Sequence, residues 1–226
     1  MHNQARIFIG YDPRERVATN VLIDSIYQAS SIPVSITPII LNQLASIFSR
    51  SRDPLQSTAF SFSRFLVPYL CNYEGWAIFM DCDMLCRSDI SELWSLRNDD
   101  YALMCVQHEH TPNEAVKFLG EKQTPYPKKN WSSLMLMNCQ KCKSLTPEYI
   151  GTASGLDLHR FHWLESDELI GSLPMIWNHL VGVQGYSSSA KMLHYTLGGP
   201  WFPDQRLGDH SDEWYVARDN MSCLYY

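Results

Sequence analysis

Charge of either sign is scarce in this sequence. Charged residues make up 19% of its 226 residues and the net charge is -6, so the chain has no basic field that would give a general affinity for nucleic acid or anionic membranes. Long apolar runs are also missing from its start. The first such run, residues 7–9, is far too short for a signal peptide or a membrane span. We therefore expect a soluble, cytoplasmic protein with no membrane span and no nucleic-acid partner.

The cysteines lack the pattern of a disulfide framework or a zinc site. There are seven of them, and this odd number, without a secretory signal, favours reduced thiols. Cys139 and Cys142 have C-x-x-C spacing, but no second pair lies at zinc-knuckle distance and no thioredoxin-like context surrounds them. We interpret the pair as structural thiols.

Hydrophobic and aromatic residues are, in contrast, abundant. They make up 45% and 12% of the chain, which is enough to bury one sizeable core. The sequence contains no internal repeat, no low-complexity tract and no convincing linker. It therefore predicts a single domain over residues 1–226.

Strand and helix patterns alternate over the first half of the chain. Apolar or β-branched runs predict strands at residues 6–10, 34–41, 76–80 and 101–106. Helical spacing predicts helices at residues 14–30, 60–71 and 91–96. The last of these helices is expected to be capped by Ser88 or Asp89. This order predicts an α/β fold with a mixed, mainly parallel sheet flanked by helices, in which ligands bind at the carboxyl ends of the strands.

Two carboxylates, Asp81 and Asp83, follow the buried apolar run at residues 76–80. Burying them without a partner would cost several kcal/mol, so a cation is expected beside them. Alternation along an extended strand points both the same way, towards one hard divalent cation such as Mn2+ or Mg2+ that would bridge a nucleotide diphosphate. For an isolated D-x-D motif the alternative stays open that both carboxylates cap the next helix or face solvent.

A histidine followed by two glycines forms the second informative segment. His194 leaves an apolar strand, and Gly198 and Gly199 follow it in a loop whose backbone can approach phosphates closely. A neutral imidazole is a ligand that suits Mn2+. The alternative is a partly buried histidine beside a turn.

Four motifs together resemble glycosyltransferase family 8, the glycogenin and bacterial galactosyltransferase group. They are Phe-Ile-Gly-Tyr-Asp at 8–12, Phe-Ser-Arg-Phe at 62–65, Phe-Met-Asp-Cys-Asp at 79–83 and the segment 194–201. The match covers about residues 6 to 202, and the combination is far more specific than any one motif. The resemblance implies the GT-A fold, a Rossmann-like fold of nucleotide-diphospho-sugar transferases. It also implies Mn2+ or Mg2+ as cofactor and retaining transfer of a hexose from a UDP-sugar to a hydroxyl of a carbohydrate, glycolipid or protein.

The resemblance carries roles over to individual positions. Asp81, Asp83 and His194 match the family's metal ligands. Arg64 matches an arginine that reaches the donor's phosphates or sugar, and its alternative is a surface salt bridge. The implied donor-binding positions are Gly10, Tyr11, Asp12, Arg64, Asp81, Cys82, Asp83, Ser132, Gly198 and Gly199. Arg64 is the implied catalytic position, and Asp157 and His159 are our catalytic candidates on the acceptor side.

Three departures from the family pattern fall in the second half of the chain. The loop after His194 is one residue shorter than usual and lacks a lysine before Pro200. The sequence Asn-Trp-Ser-Ser-Leu at 130–134 replaces the family's Phe-Asn-Ala-Gly-Val around Ser132. The segment 157–161 roughly replaces a family Asp-Gln segment near the transferred sugar, and Asp157 and His159 can equally belong to a helix cap or a solvated turn.

Two other functions compete with a glycosyltransferase. In a phosphatase or phosphotransferase of the haloacid dehalogenase type, an apolar strand also ends in D-x-D and the first aspartate is a nucleophile. That motif normally lies near the N-terminus and continues with Thr or Val, whereas Met84 and Leu85 follow here. A sugar-nucleotide-binding module without turnover is the other rival. For the transferase we expect a front-face displacement, because no obvious carboxylate is placed as a covalent nucleophile.

Overall fold

A mixed sheet forms the centre of the fold. The computed structural model describes residues 4–52, 56–109 and 128–223. In these residues the strands are β1 Ala5–Gly10, β2 Val34–Ile39, β3 Trp76–Met80, β4 Met84–Cys86, β5 Leu103–Cys105, β6 Leu134–Asn138, β7 Ile170–Ser172, β8 His179–Leu180 and β9 Met192–His194. The helices are α1 Arg16–Ala29, α2 Val67–Leu70, α3 Ile90–Ser95, α4 Pro147–Thr152, α5 Gly155–His159 and α6 Ser211–Ser222.

The central sheet has the strand order β2-β1-β3-β6-β5-β7, and a smaller sheet has the order β4-β9-β8. In the central sheet β1 is parallel to β2 and β3, and β5 is parallel to β7. Only β6 runs against its neighbours in the part of this sheet that the structure describes. The predicted α/β architecture with a mixed, mainly parallel sheet is therefore confirmed.

The central strands are apolar because both of their faces are covered. Every residue of β3 and of β6 is buried, which explains why these strands appear in the sequence as continuous apolar runs. Met80 pairs with Leu134, and Cys105 pairs with Met135. The carboxyl ends of β3 and β5 and the amino end of β6 thus meet at one edge of the sheet.

Helix α1 buries the face that carries Val21, Leu22 and Ile26. A short 3-10 helix, Pro13–Glu15, precedes it, so the predicted helix at 14–30 begins two residues later than expected. Helix α6 packs beside α1, where the buried Trp214 belongs to a small second hydrophobic cluster.

The predicted helix at 60–71 is wrong in its extent. A 3-10 helix, Ser63–Leu66, leads into the short α2, with Pro68 in the first turn of α2. Proline has no N–H to continue the preceding turn but suits the start of a helix, so it separates the two elements. The predicted cap of α3 is confirmed for Asp89, whose Oδ1 accepts from the backbone N–H of Ser91 at 2.9 Å.

Among the described residues, no helix has the length and apolar character needed to cross a membrane.

The close packing of Gly10 against Phe60 gives a test of the fold. A Cβ atom at Gly10 would lie 2.3 Å from the Phe60 ring, which is buried and cannot move without disturbing its neighbours. We expect Gly10→Ala to lower the free energy of unfolding by about 1–3 kcal/mol, measured by urea denaturation. Gly185→Ala is the matched control, because nothing lies within 4 Å of its Cβ position. Equal stability of the two variants would contradict this packing.

Candidate metal centre

Asp81, Asp83 and His194 converge at the carboxyl edge of the central sheet. One side-chain ligand atom from each lies within 4.8 Å of the others. His194 ends β9 and pairs with Met84 of β4, and the backbone N–H of Tyr195 donates to the carbonyl of Asp83 at 2.8 Å. Pairing of β4 with β9 therefore brings the imidazole to the carboxylates.

The expected strand alternation does not produce this arrangement. Strand β3 ends at Met80, and the chain bends at Cys82 and Asp83 before β4 begins. Cys82 is fully buried in the hydrophobic core. Burial, followed by the charges of Glu15 and the neighbouring aspartates, raises the pKa of its thiol well above the ordinary value. Cys82 thus anchors the bend as a neutral side chain, and only its backbone is available to a ligand.

Arg64 is buried beside Asp81. Its Nη1 lies 2.8 Å from Asp81 Oδ1 and donates to the carbonyl of Ser132 at 2.8 Å, and its guanidinium faces the rings of Phe60 and Phe79. Only 6% of the residue is exposed, so the alternative of a surface salt bridge does not apply. In this position Arg64 orients the first carboxylate of the motif.

His194 is oriented by Asn178, which the sequence analysis missed. Its Nδ1 donates to Asn178 Oδ1 at 2.9 Å, and its Nε2 lies 3.5 Å from Asp83 Oδ1. The fully buried Asn178 in turn donates to Ser133 Oγ at 2.8 Å. A proton held on Nδ1 leaves the Nε2 lone pair for a metal, as in the usual support of metal-binding histidines. No local motif marks Asn178 in the sequence.

The donor set fits a divalent cation. Burial disfavours the imidazolium of His194, but the carboxylates of Asp83 and Asp81 outweigh burial and raise its pKa above the ordinary value. The site therefore attracts positive charge. Two carboxylate oxygens and one imidazole nitrogen suit Mn2+ better than Mg2+, which prefers oxygen ligands.

Glu15 is a second residue that the sequence analysis missed. Its side chain is buried at the start of α1. Burial first, and then the charges of Asp83, Asp12 and Asp81, raise its pKa to about 9. The carboxyl group is therefore neutral near pH 7 in the metal-free protein. An acidic residue in a turn gives no sequence signal of such burial.

The loop after β1 is held by Asp12 rather than left open. Asp12 Oδ1 accepts from the backbone N–H of Arg14 at 2.9 Å, and Oδ2 accepts from the backbone N–H of Ala59 at 3.0 Å. Burial opposes its ionisation, but the hydrogen bonds from Arg14 outweigh burial and lower the pKa of Asp12. Between Gly10 and Asp12, the half-buried Tyr11 remains the predicted base and ribose contact.

The loop after His194 needs both of its glycines. Gly198 has φ +98°, a left-handed conformation that suits glycine, and its N–H donates to the carbonyl of Tyr195 at 2.8 Å. A Cβ atom at Gly199 would lie 2.1 Å from the ring of Trp201. The two glycines thus allow a tight turn here, and the phosphate-binding role of this loop stays a prediction.

The two acceptor-side candidates have different surroundings. His159 Nδ1 shares a hydrogen bond of 2.8 Å with Ser132 Oγ. The carbonyl of the same Ser132 accepts from Arg64, so His159 is connected through Ser132 to the arginine beside Asp81. Asp157 lies in the first turn of α5 and accepts from Ser154 Oγ at 2.6 Å and from His162 Nδ1 at 3.0 Å. Hydrogen bonds from Ser154 and His162 lower its pKa. The catalytic roles of both remain predictions.

Solved structures share this fold. GlyE of Streptococcus pneumoniae superposes with a TM-score of 0.66 at 13% identity, over 96% of this chain and 60% of that chain. The WbbM bifunctional glycosyltransferase gives 0.64 at 14% identity, over 97% and 50%. The galactosyltransferase LgtC gives 0.60 at 10% identity, over 97% of both chains. The chain thus spans only half to three-fifths of WbbM and GlyE. The chain therefore has the GT-A fold.

Sequence comparison is more specific. Residues 18–152 match the model of glycosyl transferase family 8. Protein CDI of Arabidopsis thaliana is 51% identical over 218 residues, which cover 92% of this chain and 84% of that protein. The chain therefore belongs to glycosyl transferase family 8, as its motifs predicted.

The hydrogen bond from His194 to Asn178 gives a test of the metal centre. We expect Asn178→Ala to weaken Mn2+ binding by about 10- to 100-fold, the usual effect of removing a residue that orients a metal ligand, measured by calorimetry. Asn138→Ala is the matched control, because Asn138 is also buried but lies at the opposite end of β6. An equal loss of affinity in both variants would contradict the role of Asn178.

The buried carboxyl of Glu15 gives a test by pH. Between its ordinary pKa of 4.5 and about 9, the folded protein retains a proton that the unfolded chain has released, so the stability of the metal-free protein falls as pH rises. Glu15→Gln removes this titration. In EDTA, the difference between the urea midpoint of Glu15→Gln and that of the wild type should therefore shift in favour of the variant as pH rises from about 5 to about 9. The exposed Glu148→Gln serves as control, and a gap that stays constant with pH would refute the assignment.

Proposed function

We propose that the protein transfers a hexose from a UDP-sugar to a hydroxyl of a carbohydrate, glycolipid or protein, with Mn2+ as cofactor. The observation that carries the proposal is the cluster of Asp81, Asp83 and His194 at the carboxyl edge of the sheet. Ligands of α/β sheets bind at this edge. The structure of LgtC, which holds donor and acceptor sugar analogues, supports a reaction with both substrates on this fold.

The residues around the cluster have distinct tasks in the proposed reaction. Asp81, Asp83 and His194 would hold Mn2+, which supplies neutralisation of the diphosphate charge as the nucleotide leaves. Arg64 fixes Asp81, and Asn178 fixes His194. These contacts preorganise the ligands, so that little reorganisation is needed during the reaction.

A front-face displacement with retention agrees with the carboxyl groups beside the cluster. Glu15 is buried, and the oxygens of Asp12 accept hydrogen bonds from the backbone N–H groups of Arg14 and Ala59. Neither is available as a covalent nucleophile. The bond from the anomeric carbon to the phosphate oxygen breaks while the acceptor oxygen bonds to that carbon. The leaving phosphate takes the proton of the acceptor hydroxyl.

The structure argues against one of the two rival functions and leaves the other to experiment. A phosphatase of the haloacid dehalogenase type needs a free first aspartate as nucleophile, but Asp81 is paired with the buried Arg64 at 2.8 Å. A sugar-nucleotide-binding module without turnover is favoured by one observation, the missing lysine before Pro200. The experiment below separates it from the transferase.

Asp83→Ala tests the proposal most directly. In the proposed complex the protein and the diphosphate both coordinate the metal, so loss of one protein ligand weakens nucleotide binding. We expect UDP affinity in Mn2+, measured by calorimetry, to fall at least tenfold, which is about 1.4 kcal/mol. The exposed Asp212→Ala is the control and should bind as the wild type does. Unchanged affinity in Asp83→Ala would show that the metal site is wrong.

Incubation of the wild type with UDP-sugars and Mn2+ then separates the functions. Slow release of UDP supports the transferase, and binding without release supports the module. Metal-dependent release of phosphate from simple phosphoesters would overturn the proposed function.

A further inference from the structure

His108 has a buried nitrogen without a hydrogen-bond partner. The residue is 6% exposed, and its Nε2 has no partner among the residues that the structure describes. A buried polar atom left in this way costs free energy unless a ligand or water completes it. No sequence motif marks His108.

The position of His108 is set by the edge of the sheet that carries the metal centre. It follows β5, and its carbonyl accepts from Trp131 Nε1 at 3.0 Å. Asp81 contacts the same short segment, residues 131–133, because its backbone N–H donates to the carbonyl of Ser133 at 2.8 Å. The charge of His194 also acts on the His108 imidazole. His108 thus lies across the start of β6 from the D-x-D motif and close to the third ligand.

The strand order places His108 on the sugar side of the proposed donor. The strands at this edge follow each other as β1, β3, β6 and β5. The loop after β1 is the proposed nucleoside contact, and the metal centre after β3 is the proposed diphosphate contact. A donor that occupies both loops in this order extends its hexose towards the amino end of β6 and the carboxyl end of β5. The hexose is therefore the part of the donor next to His108.

The charge state of His108 suits a hydroxyl group. Burial, followed by the charges of His194 and His179, lowers the pKa of His108 to about 4, and a divalent cation nearby would lower it further. The imidazole is neutral near pH 7, with one donor and one acceptor nitrogen. A hydroxyl group can pair with either nitrogen, whereas a phosphate would favour a cationic partner.

We propose that His108 is a specificity-determining residue whose Nε2 forms a hydrogen bond with a hydroxyl group of the transferred hexose. This inference rests on the proposed function, because it places the donor across the metal centre. It adds a contact that distinguishes a sugar nucleotide from UDP alone. The contact also completes a buried nitrogen that has no hydrogen-bond partner among the described residues.

The test compares the binding of UDP, UDP-glucose and UDP-galactose in Mn2+ by calorimetry. His108→Phe keeps a ring of similar shape and removes both nitrogens. We expect it to weaken the tighter of the two sugar nucleotides about tenfold, the effect of one lost hydrogen bond in a buried site, and to leave UDP affinity unchanged. His108→Gln, which keeps a polar group near Nε2, should recover part of the loss. Should His108→Phe fail to fold, His108→Ala carries the same comparison.

Trp94→Phe is the matched control. Trp94 is also buried with a ring nitrogen that has no partner among the described residues, but it lies on α3, where Arg97 stacks on its ring at 3.9 Å. This variant should bind all three nucleotides as the wild type does. Unchanged sugar-nucleotide affinity in His108→Phe, or an equal loss for UDP, would overturn the role of His108 and leave the proposed function standing. A wild type that binds none of the nucleotides would overturn both.

Discussion

Negative charge is concentrated at one edge of the central sheet, where the carboxyl groups have little access to water. The rest of the site depends on how this charge is compensated. Each carboxyl group there is compensated differently. Asp81 is paired with Arg64, Asp83 faces the imidazole of His194, and Glu15 keeps its proton. Every one of these solutions is the response of a low-dielectric site to an excess of negative charge. Such an arrangement is poised to accept a divalent cation, because the cation relieves the same repulsion.

The second, smaller sheet makes this compensation possible. Strand β9 carries His194 to the D-x-D bend by pairing with β4. Asn178 just before β8 then links the imidazole to Ser133 just before β6. The hydrogen bonds therefore connect the two sheets at the metal centre and fix the ligands relative to each other. A rigid arrangement of this kind is what electrostatic catalysis requires, because donors and charges must be in place before the reaction begins.

The sequence predicted those parts of the site that have a local pattern. The apolar strand before Asp81, and the histidine before two glycines, are read from neighbouring residues. The roles of Asn178 and Glu15 depend on contacts between distant segments, so neither stands out in the sequence. For the same reason Arg64 could be a surface residue until its burial was known. The expected strand alternation failed because a buried Cys82 bends the chain, and the long helix at 60–71 failed because Pro68 separates two short elements.

The missing lysine before Pro200 follows from packing and affects the chemistry. Gly199 lies against the ring of Trp201, where a Cβ atom would approach to 2.1 Å, so this backbone leaves no room for a longer side chain. The positive charge that relatives place in this loop must come from elsewhere. Arg64 is largely neutralised by its ion pair with Asp81. In the proposed reaction, a cation held by Asp81, Asp83 and His194 would therefore be the main compensation for the charge of the diphosphate. In the proposed reaction, binding and departure of the nucleotide therefore depend on the metal more strictly than in a relative that retains the lysine.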